Sequence, residues 1–194
     1  VNVDKRKKLI VGVSGATGAI YAIRLLEILR ELQTVETHLV VSSAAARTIS
    51  LETDYTLKQV AALADKTYPF GDIGAAIASG SFKTMGMVVV PCSVKTLSGV
   101  ANCYSDNLLL RAADATLKER RPLILSFRET PLHTGHIRLM LQAAEMGAVL
   151  APPMPAFYSK PDTLKEIVDR HVLRLLDLFN IEFPEGLLKR WDGA

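Results

Sequence analysis

The chain has 194 residues, 49% of them apolar and 22% charged, with two cysteines and a net charge of +3. That length suits one compact domain with a sizeable core, and so small a charge excludes nucleic acid or an anionic membrane as the expected partner while favouring an anionic ligand. No apolar run reaches the ~18 residues that cross a bilayer, and residues 9–13 are too few for a signal-peptide core, so the expectation is a cytoplasmic protein without a membrane span.

Residues 1–8 carry Lys5, Arg6, Lys7 and Lys8 and read as a basic, solvated arm. An apolar run at 9–13 follows and predicts the first strand. Its end meets Gly12, Gly15 and Gly18, a GxxGxxG turn with Thr17 inside it, and then the amphipathic pattern of a helix over 19–32. Small residues between a strand and a helix N-terminus let backbone N–H groups approach an anion at the positive end of the helix dipole. They also permit tight packing, so the turn alone is a weak signal.

The second strand, 37–41, runs into Ser42 and Ser43 and has no acid at its end. A dinucleotide site would place an Asp or Glu there for the ribose hydroxyls, so a mononucleotide is favoured over NAD. Helices follow at 44–51 and 57–64. The third strand, 87–90, ends in Ser93, Val94, Lys95 and Thr96 ahead of a helical stretch, with both hydroxyls able to face one ligand across a single turn. Next come a helix at 107–119, a strand at 123–127, a helix at 135–145 and a strand at 149–151. The segment from Pro152 to Pro161 is a long loop, and a last helix spans 163–180 with Asp162 or Thr163 near its N-cap.

Apolar runs without strict alternation are strands covered on both faces, and their regular exchange with helices implies right-handed βαβ units. The fold class is therefore α/β: a three-layer, doubly wound parallel sheet, Rossmann-like, occupying the whole of 1–194 as one domain. Ligands of such sheets bind outside the carboxyl ends of the strands. Cys92 and Cys103 read as buried reduced thiols, and the HxxH pair His133 and His136 lacks a third ligand, so no metal is expected.

Seven segments in order, spanning about Lys8 to Trp191, carry a family resemblance. They are SGATGAIYAIRLL from Ser14, ETD from Glu52, ASGS from Ala78, PCSVKTLS from Pro91, DNLLLRAADATLKERRPL from Asp106, RETPL from Arg128 and FYSKP from Phe157. Together they resemble the UbiX-type flavin prenyltransferases, within the fold family of the homo-oligomeric flavin-containing cysteine decarboxylases. The resemblance implies a flavoprotein that transfers a dimethylallyl group from dimethylallyl phosphate to N5 and C6 of reduced FMN, without a metal. It implies a UbiD-type decarboxylase of aromatic or unsaturated acids as recipient of the prenylated flavin, and a homo-oligomer, by resemblance a dodecamer, with sites at subunit boundaries.

By the same resemblance Gly15, Ala16, Thr17, Ser42, Ser93, Val94, Lys95, Thr96 and Arg128 hold FMN. Tyr158, Arg174, Lys118 and Arg111 hold the prenyl phosphate. Glu52 and Glu129, with Tyr158, Arg174 and Lys118, form the catalytic set. Cationic donors at a departing phosphate would lower the barrier to breaking its carbon–oxygen bond. One departure stands out: some relatives carry a tryptophan upstream of the ASGS segment, where this chain has Gly71, Asp72, Ile73, Gly74, Ala75 and Ala76, and its only tryptophan is Trp191.

Three other readings compete. An FMN-dependent decarboxylase of cysteine thiols would need a catalytic histidine after the first helices, a place that none of His38, His133, His136 and His171 takes. A non-catalytic FMN carrier would need only one phosphate site. An NAD-dependent oxidoreductase lacks its acid after the second strand.

Overall fold

Six parallel strands make one sheet in the computed structural model, which describes residues 6–184. They are β1 (Lys7–Val13), β2 (Val35–Val41), β3 (Lys66–Tyr68), β4 (Gly86–Cys92), β5 (Leu123–Phe127) and β6 (Ala148–Leu150), in the spatial order β3-β2-β1-β4-β5-β6. Seven α-helices connect and flank them: α1 (Ala19–Leu32), α2 (Ser43–Glu52), α3 (Leu57–Ala61), α4 (Val94–Ala101), α5 (Leu108–Lys118), α6 (Thr134–Glu145) and α7 (Leu164–Asp177). The order reverses direction between β1 and β4, so the connections leaving these two strands diverge to opposite sides and open a crevice at their carboxyl ends.

Alternation along the strands sorts the core into two layers. Leu9, Val11 and Val13 of β1 pack with Ile124 of β5 against α1, α2 and α7, through residues such as Ile23, Leu26, Ile49, Val172 and Leu176. Ile10, Met87, Val89 and Leu125 face the other way, against Leu97, Leu108, Leu109 and Ala143 of α4, α5 and α6. Strands buried on both faces need side chains of one kind at every position, and this is why the sequence shows continuous apolar runs. The anticipated doubly wound, three-layer α/β sheet is the architecture found.

Local chemistry sets the helix starts. Ser42, Thr56, Ser93, Asn107 and Thr163 each accept the N–H three residues on, from Ala45, Gln59, Thr96, Leu110 and Glu166. The start of α1 differs, because Gly18 sits at φ 101 with no side chain to cap. Only glycine takes that left-handed conformation without strain.

Several expectations need correction. Lys7 and Lys8 are strand residues of β1, and Arg6 is pinned beside it by bonds to the Val35 carbonyl (3.0 Å) and the Asp65 carboxylate (2.7 Å), so the basic arm is shorter than 1–8. Residues 1–5, with Lys5, lie outside the described part. β3 was not anticipated, α3 ends at Ala61 and α7 is shorter at both ends than 163–180. Cys92 is buried, its thiol pushed far up by desolvation, but Cys103 is exposed with φ 53. Among the described residues no helix is long and apolar enough to cross a membrane.

Candidate functional site

The carboxyl ends of β1, β2, β4 and β5 meet around a cleft of about 540 Å³ lined by Gly15, Ser42, Ser43, Ala44, Ser93, Val94, Lys95, Thr96, Asn107 and Glu129, among others. Two helices begin here. In α2 the first two amides, of Ser43 and Ala44, have no partner within the helix, and in α4 the same holds for Val94 and Lys95. Four orphan donors at the positive ends of two helix dipoles therefore converge on one opening, with the Lys95 side chain beside them. An anionic group with oxygens to spare, such as the phosphate of a mononucleotide, fits that donor set.

The serines at the strand ends have structural tasks. Ser42 and Ser93 cap α2 and α4, so their hydroxyls fix the helix ends while backbone amides face the cleft. Ser14, buried, donates to the Pro91 carbonyl (2.9 Å) and accepts the Ser93 N–H (2.8 Å), tying the end of β1 to the end of β4. Pro91 itself cannot donate, and the β4–β5 register shifts between Val89 and Cys92. Gly15 is required by a close approach: a Cβ there would lie 2.4 Å from the Cβ of Ala44.

The N-terminus of α1 is already occupied. Glu52, the last residue of α2, accepts the N–H of Gly18 (2.8 Å) and of Ala19 (3.0 Å). The expectation that the glycine turn cradles phosphate on the α1 dipole is corrected to that extent: those two amides hold a carboxylate of the protein itself.

A second concavity of about 680 Å³ lies beyond β6, between the Pro152 loop and α7. Val149, Leu150, Pro152, Met154 and Ile167 give it an apolar side, and Tyr158, Arg170, His171, Arg174 and Asp177 a polar one. Arg174 donates to Asp177 at 2.8 Å. His171 bonds through Nε2 to the fully buried Ser126 hydroxyl on β5 (2.8 Å), and desolvation pushes its pKa down to about 4, so it is neutral at physiological pH. Its ring meets that of Tyr21 edge to face, with centroids 5.1 Å apart. Burial raises the Tyr21 phenol pKa, against the opposing pull of the positive Arg128. Tyr21 thus packs against His171 of the recess and feels the charge of Arg128, whose sequence neighbour Glu129 lines the cleft.

The anticipated residues fall into four groups. Gly15, Ser42, Ser93, Val94, Lys95, Thr96 and Glu129 line the cleft. Ala16 and Thr17 belong to the turn above it, and Arg128 follows β5 with its N–H on the Cys92 carbonyl. Tyr158 and Arg174 share the recess. Arg111 and Lys118 join neither: Arg111 pairs with Asp114 on α5, and Lys118 ends that helix beside Glu119, one full helix length from the cleft that Asn107 and Leu110 line. Assigning both to the prenyl phosphate within a single chain is not what the geometry gives.

Sequence reasoning did not find Phe70, Asn107, Tyr21, Ser126 or Arg170. Asn107 before an apolar helix is a legible cap, but the others meet only through the fold. His133 and His136 stack at 3.7 Å, and His133 caps α6 by accepting the Gly135 N–H, which accounts for the HxxH spacing. Among the described residues no three metal-ligating side chains gather.

A doubly wound sheet with orphan amides of two helices at its switch point defines a mononucleotide-binding α/β protein, and the chain belongs to the flavoprotein family, whose model matches residues 2–170. Within it the chain is a member of the UbiX-type flavin prenyltransferases. It is 60% identical over 188 residues to flavin prenyltransferase UbiX of Escherichia coli strain K12, covering 97% of this chain and all of that one. Flavin prenyltransferase UbiX of Thauera aromatica is 54% identical over 96% of this chain and 94% of its own. Among solved structures, AnUbiX (PadA1) in complex with FMN and dimethylallyl pyrophosphate superposes with a TM-score of 0.94 at 47% identity, over 98% of this chain and all of that one. A dodecameric FMN-dependent UbiX-like decarboxylase from Escherichia coli O157:H7 gives 0.92 at 52%, over 96% of this chain and all of that one. The FMN-dependent cysteine decarboxylase TvaF, at 17% identity and a TM-score of 0.64, shares the fold alone.

Proposed function

We propose that this protein prenylates FMN, joining the dimethylallyl group of dimethylallyl phosphate to the reduced flavin and releasing phosphate. The observation that carries the reading is the presence of two concavities of different character. One offers orphan amides and a lysine; the other sets an apolar wall opposite guanidinium and phenol groups. An allyl phosphate has the same division, with a five-carbon apolar end and an anionic end. Bound FMN supplies the nucleophilic atoms, N5 and C6, that receive the allyl carbons.

The chain's own residues do the rest. The α2 and α4 amides, with Lys95, take the flavin's phosphate, and Gly15, Ala16, Thr17, Ser42, Ser93, Val94 and Thr96 shape the space around it. Arg128, next in sequence to the cleft residue Glu129, adds positive charge to the flavin side. In the recess Arg174 and Tyr158 take the donor's phosphate, where charge grows as the carbon–oxygen bond breaks. A charge-assisted bond that tightens with that charge lowers the barrier, by about 1.5–3 kcal/mol for one such bond. Glu129, which lines the cleft, and Glu52, which holds the head of α1, are the carboxylates assigned to the flavin side.

Arg111 and Lys118 fit this scheme only from a neighbouring subunit, so the working form is a homo-oligomer that shares its sites. The prenylated flavin is then handed to a decarboxylase of the UbiD type. The test is mass spectrometry of the flavin after anaerobic incubation with reduced FMN and dimethylallyl phosphate. A gain of one C5 unit is expected; an unchanged flavin together with decarboxylation of a cysteinyl substrate would refute the reading.

A further inference from the structure

The edge of the sheet opposite the cleft carries a cationic hollow of its own. In a parallel sheet all strands enter from one edge. The register that sets Leu9 beside Gly86 therefore brings the entry of β1, at Arg6, Lys7 and Lys8, alongside that of β4, at Lys83, Thr84 and Met85. The Met85 N–H closes the junction on the Lys8 carbonyl at 2.8 Å. These six residues line a concavity of about 540 Å³. The seven residues of β1, at about 3.3 Å each, put roughly 20 Å between it and the cleft.

Its charge is not neutralised within the described chain. Two carboxylates reach it. Asp65 holds Arg6 at 2.7 Å, and Glu36, whose pKa is lowered first by the Lys66 hydrogen bond and also by the charge of Lys8, is bonded to Lys66 at 3.0 Å. Lys7, Lys8 and Lys83 make no ion pair among the described residues. The Lys8 ammonium instead sits over the Phe82 ring, 4.0 Å from its centroid, a contact that fixes a cation without cancelling its charge. The Thr84 hydroxyl oxygen is buried and has no hydrogen-bond partner. Buried polar groups are nearly always paired in folded proteins, and one left unpaired is destabilising. Three unneutralised ammonium groups and an idle hydroxyl around one hollow are the complement of an anion with several oxygens.

We propose that this hollow is a binding site for a compact anion with two linked phosphoryl groups, separate from the prenyl-transfer site and independent of that reading. A single phosphate ester carries about −1.5 to −2 at neutral pH, so two linked groups come closer to balancing three ammonium charges. Lysines act as point charges and serve phosphoryl oxygens without imposing one geometry. Thr84 donates its O–H to one of those oxygens and is satisfied only in the bound state. The anion ties together the amino ends of β1 and β4, the two strands whose carboxyl ends form the switch point. Free pyrophosphate and the diphosphate of a nucleotide present the same chemistry.

The experiment treats the FMN-loaded oligomer with an amine-acylating reagent, with and without pyrophosphate or adenosine diphosphate, and reads acylation lysine by lysine by mass spectrometry. Lys7, Lys8 and Lys83 should be protected, and Lys58, exposed on α3, should react as before. Protection by one of the two anions alone identifies the source as free or nucleotide-borne. Lys7→Gln combined with Lys83→Gln should raise the concentration that half-protects Lys8 by about tenfold or more. Thr84→Val separates a ligand role from a scaffold role. Losing an unpaired buried hydroxyl should leave the Tm of the anion-free protein unchanged or raise it, yet the half-protecting concentration should rise about threefold or more, and Thr84→Ser should keep the wild-type value. No protection of these lysines by either anion at millimolar concentration, or wild-type protection in Thr84→Val, would overturn the assignment.

Discussion

Gly15→Ala tests the packing on which the cleft depends. The added Cβ would stand 2.4 Å from the Cβ of Ala44, where carbon atoms in contact rest about 3.5–4.0 Å apart, so one side must retreat by more than about 1 Å. Neither atom is the end of a flexible side chain. The strain is relieved only by moving the first turn of α2, which carries the Ser43 and Ala44 amides. Overpacking of this kind costs about 1–3 kcal/mol. Ala44→Gly removes the atom that is struck and, as a glycine in a helix, costs about 1 kcal/mol or less by itself. The double variant should therefore be more stable than the sum of the single effects by about 1 kcal/mol or more, a coupling that urea unfolding resolves. FMN affinity should fall about tenfold or more in Gly15→Ala and recover in the double variant. Additive unfolding energies would refute the steric account, and an FMN affinity untouched by Gly15→Ala would separate the cleft from the α2 amides.

Three further outcomes are expected. Glu52→Ala removes the acceptor for the Gly18 and Ala19 amides and should cost about 0.5–2 kcal/mol in urea unfolding, with Glu52→Gln costing less because it keeps a neutral oxygen. His171 has a folded pKa lowered from 6.5 to about 4, so the unfolded chain binds the proton more readily; stability should be full above about pH 6.5 and fall by about 1–3 kcal/mol as pH drops to 4. The double variant Ser126→Val with His171→Leu should flatten that acid limb in pH-dependent unfolding, and an unaltered limb would contradict the assignment. Mixing inactive Lys118→Ala and Arg174→Ala subunits, unfolded and refolded together, should restore part of the prenyl transfer if the two residues serve one site from different subunits; no recovery in mixed oligomers would count against a shared site.

Much of the fold was legible because burial on both faces leaves continuous apolar runs, as in residues 9–13, 87–90 and 123–127. β3 escaped notice for the opposite reason. It is an edge strand of Lys66, Thr67 and Tyr68, bonded on one side to β2 and largely exposed, so nothing in its composition demands a strand. The site was legible where chemistry is local: hydroxyl residues at the ends of β2 and β4 mark helix starts and hence orphan amides. What the residue types do not reveal is the division of labour, in which Ser42 and Ser93 spend their hydroxyls as caps and leave the contact with an anion to the backbone. The link between Ser126 and His171 spans 45 residues and joins a strand to the last helix. Local spacing carries no trace of it, nor of Arg170, which reads as an ordinary helix cation until the recess is seen.

The carboxylate of Glu52 at the head of α1 also bears on which nucleotides can be excluded in a cell rich in them. In doubly wound folds that bind dinucleotides, the pyrophosphate bridge settles on the first helix after β1. Here a tethered competitor holds that spot at 2.8 and 3.0 Å, and being part of the chain it cannot be diluted away. An NAD-like molecule would have to displace it from the Gly18 and Ala19 amides before its pyrophosphate could settle there. A single-phosphate flavin bound at α2 and α4 meets no such toll. Discrimination against dinucleotides is thus wired into the scaffold at α1, apart from the orphan amides of α2 and α4.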